Sequence, residues 1–593
     1  MSYDDPKPAT AQEASATGTP VYERILDLFE AEGINTLFGI PDPNFVHMFL
    51  SAERRGWTVV APHHEAAGGF MAEAAARITG KPAVAIGTLG PGMANLAPAI
   101  QCALVENTPV IFLGGQRARV TEQRVRRGRI QFVKQMPLFE DSVKWSASIE
   151  YADQTDEIIR QGIRVAMGGT PGPVYIEYPS HIIQEKLDLP APLTPDRYRL
   201  VNQGADIDKV KEAADAIRAA KNPILLVGHG VHTSRTGDAV KDLALLMNCP
   251  VVQTSGGTSY IRGLEDRTFQ YVFSDASLAV VEESDLVLAL GTELGEPVHY
   301  GRTRWWAKND ANRKWLYVEQ DAAAIGVNRQ IDIPLVGDLR GVVPQLVAAL
   351  KDTPREPAPG LEAFMRDGQA ELDALAAESR TKSDGTGNLP IHPSRFVVEA
   401  SEAFPEDGIL VRDGGATVIY QWTYSQSKPH DVIWNQNFGH IGTGIPYING
   451  AMLADRAATG ISRPGMLITS DSSFMFHIAE LETAARTNLP LVCVVGVDNQ
   501  WGLEVGVYKR TFGQGTEETG THWSKDVRFD KIAEGFGCYG EYVTNAADIK
   551  PAIQRAYDSG KVGVIHVVID PKANSEEMPK YEKFRTWYAE GTQ

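Results

Sequence analysis

Cysteine is scarce: Cys102, Cys249, Cys493 and Cys538 are the four in 593 residues. They lie far apart in apolar or mixed runs, which excludes a disulfide framework and a zinc knuckle and makes a reducing cytoplasm the expected compartment. Positive charge is also in deficit, with 57 Lys and Arg against 75 Asp and Glu and a net charge of -18. That excludes a general nucleic-acid binder, because phosphate contacts need concentrated Lys and Arg. No apolar run reaches the roughly 18 residues of a membrane span, and the opening MSYDDPKPATAQEASATGTP has no basic stretch leading into an apolar core. No membrane partner is therefore expected, and residues 1–19 read as a flexible tail. Long disordered stretches are excluded by a hydrophobic content of 43% against a charged content of 22%, which is ordinary for a globular chain.

What remains is an alternation. A chain of this length exceeds what one core fills, so several domains of about 150–200 residues are expected. Between 20 and 190, helical patterns alternate with the short apolar runs TVVAP, PAVAIGT, PVIFLGG and PVYIEYP. The pattern restarts at 204–350 with PILLVGHG, CPVVQTS, DLVLALGT and KWLYVEQ. After a helical, Pro-containing linker at 351–393 it returns at 394–572 with ILVRDGG, MLITSDSS, LVCVVGVDN and VIHVVIDP. Such alternation predicts an α/β fold of three doubly wound parallel-sheet domains, followed by a C-terminal tail at 573–593.

Ligands of open parallel sheets gather beyond the carboxyl ends of strands. In the third domain, MLITSDSSFMFHIAELETAARTNLPLVCVVGVDNQWGLE starts as a strand, turns at Ser470-Asp471-Ser472-Ser473 and enters a helix, whose N-terminus offers backbone N-H groups to anions. A second strand then delivers Asp498, Asn499 and Gln500. Magnesium takes hard oxygen donors and commonly shares them with a diphosphate, and two adjacent strand ends supply such donors together. The competing reading of these acids is turn and cap residues.

This segment resembles the thiamine-diphosphate enzyme family, whose signature is Gly-Asp-Gly followed, after a similar interval, by Asn-Asn. The resemblance implies that Asp471 and Asp498 give side-chain oxygens and Gln500 a backbone carbonyl to Mg2+, with Ser472 and Ser473 beside the diphosphate. Ser470 and Ser472 replace both glycines and Val497-Asp498 replaces the Asn pair, so Asp498 keeps an oxygen donor and adds a negative charge. In the first domain, HHEAAGGFMAEAAARITGKPAVAIGTLGPGMANLAPAI resembles the pyrimidine-binding domain of the same family, including Gly90, Gly92 and Asn95. There Glu65 is implied as the catalytic acid on N1' of the aminopyrimidine, where a shared proton favours the tautomer that abstracts the thiazolium C2 proton. FGHIGTGIPYINGAM is similar to the family's hinge, with Ile441 wedged beneath the cofactor and the Gly439 carbonyl facing its amino group. Gly415, Ala416 and Thr417 correspond to a diphosphate-contacting loop. The family pattern implies a homodimer or homotetramer, in which one subunit's Glu65 serves cofactor bound by its neighbour's third domain.

Within the family, three features resemble 2-hydroxyacyl-CoA lyases and oxalyl-CoA decarboxylases. Asp-Ser stands at 471 and 472. VHYGRTRWW, WLYVEQD and NRQIDIPLVGD resemble an ADP-binding middle domain in which Glu319 takes a ribose hydroxyl. Glu504 occupies the place of an acid that handles protons on the bound substrate. The expected reaction is cleavage of a 2-hydroxyacyl-CoA, such as 2-hydroxyisobutyryl-CoA, to formyl-CoA and an aldehyde or ketone. The alternatives are an acetolactate-synthase-like carboligase or 2-oxo acid decarboxylase, whose middle domain holds FAD in place of ADP or CoA, and a catalytically silent relative kept for binding. Two regions stay open. The run Arg117, Arg119, Arg124, Arg126, Arg127 and Arg129 suits either an anionic substrate or intersubunit ion pairs. Tyr581, Phe584, Trp587 and Tyr588 suit either a lid or a docking tail.

Overall fold

The computed structural model describes residues 18–302, 304–387 and 389–585. Trp587 and Tyr588, and the side chain of Phe584, lie outside the described residues, as does 1–17 of the expected tail. The chain divides into two compact units: one is drawn from residues before 200, and the other runs from 200 onward and takes in the short stretches 73–80 and 168–170.

The first unit is built on a six-stranded sheet with the spatial order Thr58–Val60, Thr36–Gly39, Ala83–Gly87, Val110–Gln116, Val174–Pro179 and Trp145–Ser148. Every neighbouring pair is parallel. Its central strands are buried along their whole length, as expected where helices cover both faces. Val84, Ile86, Ile111, Leu113, Val174 and Ile176 form the core with apolar residues of the helices Val21–Ala31 and Thr155–Met167. Each such side chain contributes about 1.5–3 kcal/mol on burial. The expected tail overreaches at its end, because Thr19–Pro20 pairs antiparallel with Lys186–Leu187. The polar composition of the opening hid that short ladder.

The second unit carries two more sheets. One runs Thr268–Gln270, Val251–Gln253, Pro223–Val227, Leu286–Leu290, Lys314–Glu319 and Ile333–Val336. The other runs Asp431–Ile433, Ile409–Arg412, Gly465–Ser470, Leu491–Val497, Gly563–Val568 and Tyr539–Val543. All of these pairings are parallel as well. The helix Leu361–Ser379 occupies the linker between them. The last sheet has the strand sequence of the first, each with its own second strand in chain order at one edge and its own fifth at the other. The middle sheet instead runs outward from its first strand in both directions. The first and last orders diverge between their first and third strands and the middle order between its first and fourth, and a ligand of an open α/β sheet sits at such a crevice. Among the described residues no helix is long and apolar enough to cross a membrane, and the four cysteines are buried and form no disulfide.

Candidate functional site

In the last sheet the crevice lies between Ile409–Arg412 and Gly465–Ser470. The second strand runs straight into the buried turn Asp471–Phe474, and its parallel neighbour Leu491–Val497 ends one residue before Asp498. Asp471 is fully buried and Asp498 nearly so. Asp471 accepts the Ser472 N-H through Oδ1 at 2.8 Å and the Asn499 N-H through Oδ2 at 2.8 Å, with Asn499 in the left-handed region at φ 58°. Asp498 Oδ2 accepts from Asn574 Nδ2 at 2.7 Å and Gln500 Nε2 at 3.1 Å. Burial pushes Asp498 up to about 6, and burial together with the negative neighbour Asp498 holds Asp471 well above the ordinary carboxylate range. Among the described residues no Lys, Arg or His forms an ion pair with either acid. Two buried carboxylates without a cation are costly as anions.

That donor set fits a hard divalent cation. The fit extends to a diphosphate: Gly415 caps the helix Ala416–Tyr424, and the buried Thr417 Oγ1 has no partner there. Ser472 exchanges a hydrogen bond with Ser470 at 3.0 Å, and Ser473 is buried in the same turn. Gln500 is buried, and its side chain also donates to the Pro571 carbonyl at 2.7 Å.

Asp413, which the motifs did not single out, organises the other side of the crevice. Its carboxylate accepts backbone N-H groups of Gly414 at 2.7 Å, Gly444 at 2.8 Å and Gly442 at 3.1 Å, so it ties the 439–444 loop to a strand end. Burial nevertheless pushes it up to about 6. A signal was available, since Asp413 is the acid directly after ILVR. Asn574 had none, because it reaches Asp498 from the helix Pro571–Glu576. In the tied loop, Gly439 is exposed with φ 66° and Ile441 is half-buried.

Beyond Asp498, Trp501 leads into the helix Gly502–Phe512, and Leu503 stands beside Gly415, 3.6 Å from where a Cβ would project. Glu504, in the first helical turn, is exposed and has no hydrogen-bond or ion-pair partner among the described residues.

In the first unit, Glu65 opens the helix Glu65–Thr79 and is half-buried. Asn95 Nδ2 donates to its Oε2 at 2.9 Å, which fixes the carboxyl while leaving Oε1 available. A side chain at Gly92 would place its Cβ 3.3 Å from Oε1 and 2.6 Å from Thr88, so glycine keeps that face clear. Gly90 has φ 69° and caps the helix Pro91–Val105; a Cβ there would lie 2.2 Å from the Gln131 carbonyl, which requires glycine. A hydrogen-bonded carboxyl beside a glycine suits proton exchange with a heterocyclic nitrogen.

Glu319 ends its strand with both oxygens engaged: Oε2 accepts from the Tyr317 hydroxyl at 2.7 Å and Oε1 from the Asp321 N-H at 2.9 Å. The arginine run is not one patch. Arg119 pairs with Glu150 and Glu177, and Arg129 pairs with Glu122 and lies over Phe132. Arg124, Arg126 and Arg127 are exposed. At the tail, the Tyr581 ring lies 4.1 Å from the Arg510 guanidinium.

A half-buried, hydrogen-bonded carboxyl in one doubly wound domain and a buried pair of acids at strand ends in another are features that a cofactor-dependent enzyme would use. The chain matches the thiamine pyrophosphate enzyme N-terminal TPP binding domain at 20–138, the central domain at 210–346 and the C-terminal TPP binding domain at 413–567. Thiamine pyrophosphate is another name for thiamine diphosphate, and the chain belongs to this enzyme family. It is 27% identical over 574 residues to a probable acetolactate synthase large subunit of Methanocaldococcus jannaschii, covering 94% of this chain and 92% of the relative. It is 25% identical to an acetolactate synthase of Bacillus subtilis, covering 96% and 98%. To a sulfoacetaldehyde acetyltransferase of Alcaligenes xylosoxydans it is 25% identical, covering 92% of each chain.

Proposed function

We propose that this chain is a thiamine-diphosphate carboligase or 2-oxo acid decarboxylase of the acetolactate-synthase type. The observation that carries this reading is the near full-length similarity to acetolactate synthases. It moves the weight away from the 2-hydroxyacyl-CoA lyase expected from the motifs. When bound, thiamine diphosphate supplies a nucleophilic carbon and an electron sink.

The chain's own residues do the rest. Asp471 and Asp498 hold Mg2+ with the Gln500 carbonyl, and the start of the Gly415-Ala416-Thr417 helix, with Ser472 and Ser473, receives the diphosphate. Ile441 and the Gly439 carbonyl, in the loop tied by Asp413, would contact the cofactor. Glu65, steadied by Asn95 and cleared by Gly92, would exchange a proton with the aminopyrimidine of a cofactor held by a second copy of the chain. In this reading the middle domain would hold FAD in place of ADP or CoA.

A second reading, the 2-hydroxyacyl-CoA lyase, is favoured by one specific feature. Glu504 is exposed, lacks a partner and stands one residue after Leu503, which flanks the diphosphate loop. A free carboxylate there suits removal of a substrate's 2-hydroxyl proton, after which the C1-C2 bond breaks.

One panel separates the readings. Purified enzyme with thiamine diphosphate and Mg2+ is given pyruvate, and separately 2-hydroxyisobutyryl-CoA. Release of CO2 with acetolactate formation supports the first reading. Formyl-CoA and acetone in place of those products overturn it in favour of the second.

A further inference from the structure

We propose that the cavity beside Arg412 binds one small monovalent inorganic anion, of chloride or bromide size. Arg412 ends the strand Ile409–Arg412 and is 2% exposed. Its Nε and Nη1 are buried without hydrogen-bond partners, and among the described residues no carboxylate forms an ion pair with it. Burial lowers its guanidinium only to about 10, so it remains a cation at neutral pH. A buried cation is rarely left unpaired, since the interior does not replace the water it loses.

Arg412 lines a cavity of about 30 Å³ together with Tyr260, Gln270, Gln421 and Ser427. One water needs about 10–15 Å³ of such space, which leaves room for a halide and one water. Gln270 Oε1 and Gln421 Oε1 are buried acceptors without donors, and the water serves them while the anion serves Arg412. Glu371 also lines the cavity, but its carboxylate is held by Lys580 at 2.6 Å and by the Ser274 hydroxyl and Asp275 N-H at 2.9 Å each. Lys580 therefore offsets its charge, and the Arg412 cation is left to an external anion. This site is independent of the carboligase and lyase readings.

The test is a crystal of the full-length protein soaked in sodium bromide, with anomalous diffraction, alongside thermal unfolding in bromide against gluconate at constant ionic strength. An anomalous peak in contact with the Arg412 guanidinium is expected. Above the dissociation constant, each tenfold rise in bromide should raise the folded-to-unfolded ratio about tenfold relative to gluconate, and Arg412→Met should lose both effects. Water alone in the cavity of the soaked wild type overturns the proposal, and so does an unchanged bromide response in Arg412→Met. If that variant does not fold, the wild-type soak decides.

Discussion

The first and last sheets run their strands in the same spatial order, yet their crevices carry different chemistry. In the last sheet two strand ends each deliver a buried acid, Asp471 and Asp498. In the first, the strand ends deliver a glycine turn, and the acid Glu65 comes from the helix that follows the edge strand Thr58–Val60. One topology thus carries a buried acid pair in one place and a half-buried, hydrogen-bonded acid in the other. The geometry of the sheet fixes where a ligand sits, and the residues at the strand ends fix what it does.

The contrast breaks most severely at Glu65. Glu65→Gln keeps the Asn95 contact and the fold but removes the exchangeable proton, and turnover should fall about 10²- to 10⁴-fold with thiamine-diphosphate affinity nearly unchanged. NMR exchange of the cofactor's C2 proton in the reconstituted variant checks this; a wild-type rate would remove Glu65 from catalysis. At the opposite crevice, Asp471→Ala should weaken Mg2+-dependent cofactor binding by more than the about 10- to 100-fold typical of losing an outer-shell partner, as read by calorimetry. It should also relieve the repulsion on Asp498, leaving the apoprotein no less stable than wild type.

Glu504→Gln sharpens the comparison differently, because Glu504 belongs to neither crevice's cofactor contacts. In the lyase reading it should lower kcat by about 10²-fold or more at similar KM. If the carboligase reading holds, pyruvate turnover should change far less.

Smaller still is the effect of Asp413. Its folded-state pKa of about 6 lies above its ordinary value of 3.8, so between about pH 4 and 6 the folded state holds a proton that the unfolded chain has released. Stability therefore falls as pH rises through that window, by at most about 1.4 kcal/mol per pH unit from this group. Asp413→Asn should flatten that slope in denaturant titrations and, by disturbing three backbone donors, cost about 1–3 kcal/mol. An unchanged slope would assign the pH dependence elsewhere.

The sequence displayed the buried strands and concealed most of the edges. Runs such as LVCVVGV are apolar throughout because both faces are covered. Trp145–Ser148 and Tyr539–Val543 are half-exposed edge strands with mixed composition, while Thr268–Gln270 and Asp431–Ile433 are three residues long, too short to show a period. The site was legible where chemistry follows directly on a strand, as at Asp471 and Asp498, and at Glu65 through its neighbouring motif. It was illegible where the partner arrives through tertiary folding. Asn574 is remote from Asp498 in sequence, and the separation of Arg119 and Arg129 from the exposed arginines depends on Glu150, Glu177 and Phe132.

The paired acids of the last sheet are proposed to bind a cation that carries the cofactor. Calorimetric titration of thiamine diphosphate into the wild-type apoprotein tests this proposal most directly, in Mg2+ and again in EDTA. Saturable binding that requires Mg2+ and disappears in EDTA is the expected result. Equal binding in both buffers, or none in either, would contradict it.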